Sequence, residues 1–108
     1  MPAERLGVVQ EGTQNELAVW IHGSAVPGSP ILVHLRGAGG KLLTRLSSEQ
    51  AERLAQFLRW PPARPTAIAG LLVQASAELV AVRDGQGNPV TYLGRRAAQT
   101  IAAWLVQR

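Results

Sequence analysis

The sequence predicts an α+β protein, an antiparallel sheet of about six strands with two helices on one face. Three observations carry this. Short apolar runs of strand length alternate with turns rich in glycine, asparagine and proline. Two stretches, Ser48–Trp60 and Arg95–Gln107, instead place apolar residues at helical spacing. Each of these follows a probable hairpin, and consecutive hairpins followed by a helix imply an antiparallel sheet with its helices on one side.

The elements follow in order. Arg5–Gln10 is a weak strand, and Glu11-Gly12-Thr13-Gln14-Asn15 is a turn. Glu16–His22 alternates, with Leu17, Val19 and Ile21 on one face and Ala18, Trp20 and His22 on the other. Gly23–Pro30 holds two prolines and two glycines and reads as a loop. Ile31–Arg36 and Lys41–Leu46 form a hairpin around Gly37-Ala38-Gly39-Gly40. Ser47 and Gln50 then make a capping box that starts the first helix, and Pro61-Pro62 stops it near Trp60. Pro61–Pro65 is a stiff extended connector. Thr66–Ala75 is an apolar strand in which Gly70 marks a bulge or a close backbone approach. Glu78–Asp84 and Val90–Leu93 form a second hairpin around Gly85-Gln86-Gly87-Asn88-Pro89. The last helix carries Ala97, Ala98, Ile101, Trp104 and Leu105 on one stripe.

The 108 residues suit one domain. Within it, 1–60 and 66–108 repeat one strand–hairpin–helix plan, joined by the proline-rich linker 61–65. Laid over each other, Gly37 matches Gly85 and Gly39 matches Gly87. A one-residue gap before the helix then matches Leu46, Ala51, Ala55 and Leu58 with Leu93, Ala98, Ala102 and Leu105, and Phe57 with Trp104.

Composition excludes several classes. There is no cysteine, so disulfides, thiolate metal sites and cysteine nucleophiles are absent. No apolar run approaches the ~20 residues of a membrane helix, and Met1–Arg5 leads into no apolar signal core. The expectation is a cytoplasmic protein that does not engage a membrane. The net charge is +4, and ten of the eleven basic residues are arginine. Arginine coding by a GC-rich genome explains that bias, and so does phosphate recognition, since guanidinium groups bind phosphate bidentately and stack on bases.

The alternation of the strands makes the most informative statement about function. Leu17, Val19, Ile21, Ile31, Val33, Leu35, Leu42 and Leu46 suit the face under the helices. The opposite face then holds Trp20, His22, Leu32, His34, Arg36, Lys41, Leu43 and Arg45. An aromatic ring for stacking with cations for phosphates is what single-stranded nucleic-acid binders offer. The same face, with Trp20, Leu32 and Leu43 at its centre, is also what a homodimer or an adaptor buries.

Chemistry-bearing motifs are few. Gly37–Leu42 lacks the first glycine and the hydroxyl residue of a phosphate loop, and Leu42 stands where a dinucleotide fingerprint needs its third glycine. His22 and His34 lack a carboxylate neighbour in the pattern, so no metal is expected. Asp84 is the one aspartate and belongs to a turn. A Ser24 or Ser29, His22 and Asp84 set has no supporting spacing, and neither a catalytic group nor a cofactor is expected. Arg95-Arg96 oppose the dipole of the last helix, an arrangement that suits an anion beside its N-terminal amides.

The order of strands, a helix opened by Leu46-Ser47-Ser48-Glu49-Gln50, and a second such unit resembles the PUR-type and transcriptional-coactivator-type single-stranded DNA-binding folds. The resemblance implies a pseudo-dimer with a nucleic-acid-binding sheet. The expectation is therefore a small non-catalytic binding module. Its leading ligand is single-stranded nucleic acid, held by Trp20, His22, His34, Arg36, Lys41 and Arg45 and extended by Arg95 and Arg96. A homodimer or protein-partner surface on the same residues is the alternative.

Overall fold

The structure, a computed structural model, describes residues 3–22 and 32–106. The α+β class holds, with the described residues forming eight strands in two sheets rather than about six in one. Strands β1 (Ala3–Val9), β2 (Leu17–His22), β3 (Leu32–Arg36) and β4 (Leu42–Leu46) form an antiparallel meander that runs into helix α1 (Ser48–Arg59). Strands β5 (Thr66–Ile68), β6 (Leu71–Ser76), β7 (Leu79–Asp84) and β8 (Pro89–Gly94) form the second, which runs into helix α2 (Arg95–Val106).

The extra strand comes from Gly70. Thr66–Ala75 is not one bulged strand but a hairpin, because Ile68 pairs with Leu71 across Ala69-Gly70. Both turn residues have positive φ, 50° and 82°, the mirror-image turn that matches strand twist. Helix α1 starts as its sequence predicts. The Ser47 hydroxyl accepts from the Gln50 amide at 3.2 Å, and the Gln50 side-chain carbonyl accepts from the Ser47 amide at 3.0 Å.

Leu17, Val19, Val33, Leu35 and Leu46 of the first sheet and Leu71, Val73, Val80, Val82 and Leu93 of the second share one buried core with both helices. The helices lie against each other through Ala51, Leu54, Ala55 and Leu58 of α1 and Ala98, Ile101, Ala102 and Leu105 of α2, all at most 3% exposed. Ile31 and Gln107 lie outside the described residues.

The two units agree residue by residue. Adding 47 to the β3–β4 pairs Val33–Leu46, Leu35–Thr44 and Arg36–Leu42 gives the β7–β8 pairs Val80–Leu93, Val82–Thr91 and Arg83–Pro89. The irregularity in register falls before Arg36 in one hairpin and before Arg83 in the other. The turns agree as well: Gly37 bonds Lys41 and Gly40 bonds Gly37, as Asp84 bonds Asn88 and Gly87 bonds Asp84. Gly40 and Gly87, at φ 79° and 87°, are thus the equivalent glycines, and the matches of Gly37 with Gly85 and Gly39 with Gly87 are one residue out of step. For β2 and β6 the shift is 54, since Val19 and Val73 pair with the equivalent Leu35 and Val82.

Under these shifts Thr44 corresponds to Thr91 and Asn15 to Ala69, and the four exchange hydrogen bonds between units. Thr44 donates to the Ala69 carbonyl at 2.7 Å, and Thr91 to the Asn15 carbonyl at 2.8 Å. Thr91 is 1% exposed, so water cannot replace its bond. Thr91→Val should lower stability by about 1–3 kcal/mol in urea denaturation. Thr44→Val, at a wetter position, should cost less.

Candidate functional site

The site is built on the outer face of the first sheet, and the strand register sets it. Arg45 pairs with His34, His34 with Trp20, and Trp20 with Arg5. These four residues form one row across β4, β3, β2 and β1, about 15 Å long at normal strand spacing. The next row is Leu42, Arg36, Ala18 and Val8, and on the other side His22 pairs with Leu32.

Between adjacent rows the side chains touch. The Arg36 guanidinium lies 5.4 Å from the centre of the Trp20 ring, within cation–π range. Its Nη1 donates to the Gly40 carbonyl at 3.4 Å, which ties it to the hairpin turn. The imidazoles of His22 and His34 stack with centroids 3.8 Å apart and planes 27° from parallel. His34 is only 8% exposed. Burial holds its pKa below the usual imidazole value, and the charges of His22, Arg45 and Arg36 lower it further. His34 Nδ1, His22 Nε2 and Arg36 Nε are buried and have no hydrogen-bond partner among the described residues.

The sequence-predicted residues divide. Trp20, His22, His34, Arg36 and Arg45 come together on this face. Lys41 does not. It ends the β3–β4 turn and lines a hollow between the two equivalent hairpin turns, with Asp84 and Asn88 on the opposite wall. Arg95 and Arg96 do not join the face either. They begin α2 after the last strand of the second sheet, and Arg95 lines a hollow with Glu78, Leu79 and Gly94. Leu42 and Leu43 exchange the faces expected of them. The irregularity before Arg36 pairs Leu42 with Arg36 on the outside, 36% exposed, while Leu43 turns to the core beside Gly37. An inserted residue reverses the alternation beyond it.

Arg5 is the residue that sequence reasoning missed. Its signal, one arginine in a weak strand, becomes meaningful only once β1 is registered against β2. Glu11 offsets part of its charge through an exposed ion pair at 3.6 Å.

The chain gives no significant match to protein-family models, to curated proteins or to solved structures. What the site does must be read from its chemistry.

Asp84 accepts from the amides of Asn88 and Gln86, both at 2.9 Å, and these bonds, Asn88 first, hold its carboxyl below the usual range. It ends β7, in the other sheet from His22; Ser24 and Ser29 lie outside the described residues. No group of three or more histidine or carboxylate ligands occurs among the described residues. No helix among them is long and apolar enough to cross a membrane.

Proposed function

We propose that the protein is a non-catalytic module that binds single-stranded nucleic acid on the outer face of its first sheet. The observation that carries this is the difference between two equivalent faces. Where the first sheet has Trp20, His34 and Arg45 in one row, the second has Gln74, Ala81 and Tyr92. The scaffold itself therefore requires neither an imidazole nor a guanidinium in that row, and the one ring there, Tyr92, stands at the place of Arg45 rather than of Trp20. Among paired positions, Arg83 alone repeats a cation, at the place of Arg36.

Each part has a role. Arg45, Arg36 and Arg5 present three guanidiniums to phosphates, and Arg groups grip phosphate bidentately. Arg36 over Trp20 makes a stacking platform of guanidinium on indole, and a base either lies on that layer or displaces it to reach the ring. Leu43 turns inward and Leu42 takes its place on the outer face, so the exposed leucines there are Leu32 and Leu42, on either side of the row.

Fluorescence anisotropy with a labelled oligothymidylate, measured against salt, tests the reading. Neutralising three to five phosphates gives a log–log slope of roughly −2 to −3.5 on a single strand. No binding at low salt would refute the proposal, and a protein partner on the same face would then account for Leu32 and Leu42.

A further inference from the structure

The stacked histidines are unusual neighbours for cations. His34 is buried beside Trp20, and the basic groups around it, His22, Arg45 and Arg36, disfavour a further positive charge. Trp20 and His22 approach it from β2, Arg36 flanks it on its own strand, and Arg45 faces it from β4. Arg5 lies one strand beyond Trp20, and the carboxylate that pairs with it, Glu11, is at the far end of the row. Residues 23–31, which follow His22, contain no titratable side chain. The described residues offer His34 Nδ1 no acceptor, so a doubly protonated ring would leave a buried N–H without a partner among them.

A bound phosphodiester reverses this balance. Its negative charge offsets Arg36 and Arg45, and an imidazolium beside it gains attraction in place of repulsion. We propose that binding of a nucleic-acid phosphate to this face is coupled to the uptake of one proton by His34. The proton comes from solvent and returns to it on release. This rests on the nucleic-acid reading above and adds its regulation: the grip tightens as pH falls. The sign follows from linkage. The complex holds more protons than the free components, so affinity rises as proton activity rises, through the interval between the free and the bound titration of His34.

The test measures oligothymidylate binding at constant ionic strength from pH 7.5 to 5.5, a range in which its bases and phosphodiesters do not titrate. Affinity should rise about fivefold to tenfold across that range, about threefold to fourfold per pH unit at its steepest. Calorimetry in buffers of different ionisation enthalpy should show about half a proton taken up near the middle of that range. His34→Gln should abolish both effects. His22→Gln, at a less buried position, removes one of the charges acting on His34 and should keep the effect but move it to higher pH. This second variant also keeps the test sound if His34→Gln does not fold. Binding that ignores pH, or a pH response that survives in folded His34→Gln, would overturn the coupling and leave the binding function standing. Absence of binding at every pH and at low salt would overturn both.

Discussion

Replacing Arg5, Arg36 and Arg45 together by glutamine should weaken oligothymidylate binding about a thousandfold at ~50 mM salt. Each phosphate contact on a single strand contributes ~0.7 to the salt slope, which is close to a tenfold gain in affinity per contact at that concentration. The wild-type slope should fall by about 2 when three cations are lost. The matched control replaces Arg83, Arg95 and Arg96, which removes equal charge from the other unit. If net charge alone drove association, the two triple variants would behave alike. If the row on the first sheet is the interface, the control should stay within a few fold of wild type. Equal losses in the two variants would locate the binding elsewhere.

The second large effect concerns stability, at Gly7. The register between β1 and β2 shifts between Arg5 and Gly7, and Gly7 pairs with Val19 on the core side. The indole of Trp104 from α2 occupies the space that a side chain would need: a Cβ on Gly7 would overlap its Cζ2, Cε2 and Cη2. Gly7→Val should therefore expel the ring or part β1 from α2. Overpacking of this kind costs about 1–3 kcal/mol, and the upper end is expected here because the intruding group is branched and the obstacle is a large ring. In a domain of this size that is a fall of roughly 10–20 °C in Tm. Combining Gly7→Val with Trp104→Ala should be less damaging than the separate effects added together, because the second change makes room for the first. Strictly additive losses would mean that the two residues do not oppose each other.

What could be read in the sequence, and what could not, divides along physical lines. The limits of α1 were legible because a capping box and a proline pair are local chemistry, complete within a few residues. The matching helix stripes of the two units were legible for the same reason. The count of strands was not, since the turn at Ala69-Gly70 is made by an alanine at positive φ, and alanine carries no turn signal. The outer face was legible at Trp20, His22, His34, Arg36 and Arg45, where alternation is unbroken along β2 and β3. It failed at Leu42 and Leu43 because an irregularity in register leaves no mark in composition. Arg5 was invisible as a member of the row. Its place depends on how β1 registers against β2, and that pairing is itself irregular between Arg5 and Gly7.

The exchanged threonine bonds bear on how the molecule is held together in solution. Each unit completes a turn of the other, and each helix buries its stripe against the other helix, so neither unit has a finished interior alone. The peptide between Arg59 and Thr66 is then a tether that keeps two complementary partners at high effective concentration. Severed there, the fragments would remain a bimolecular complex. Its melting would depend on total protein, and dilution, which leaves the intact chain unaffected, would drive the pieces apart.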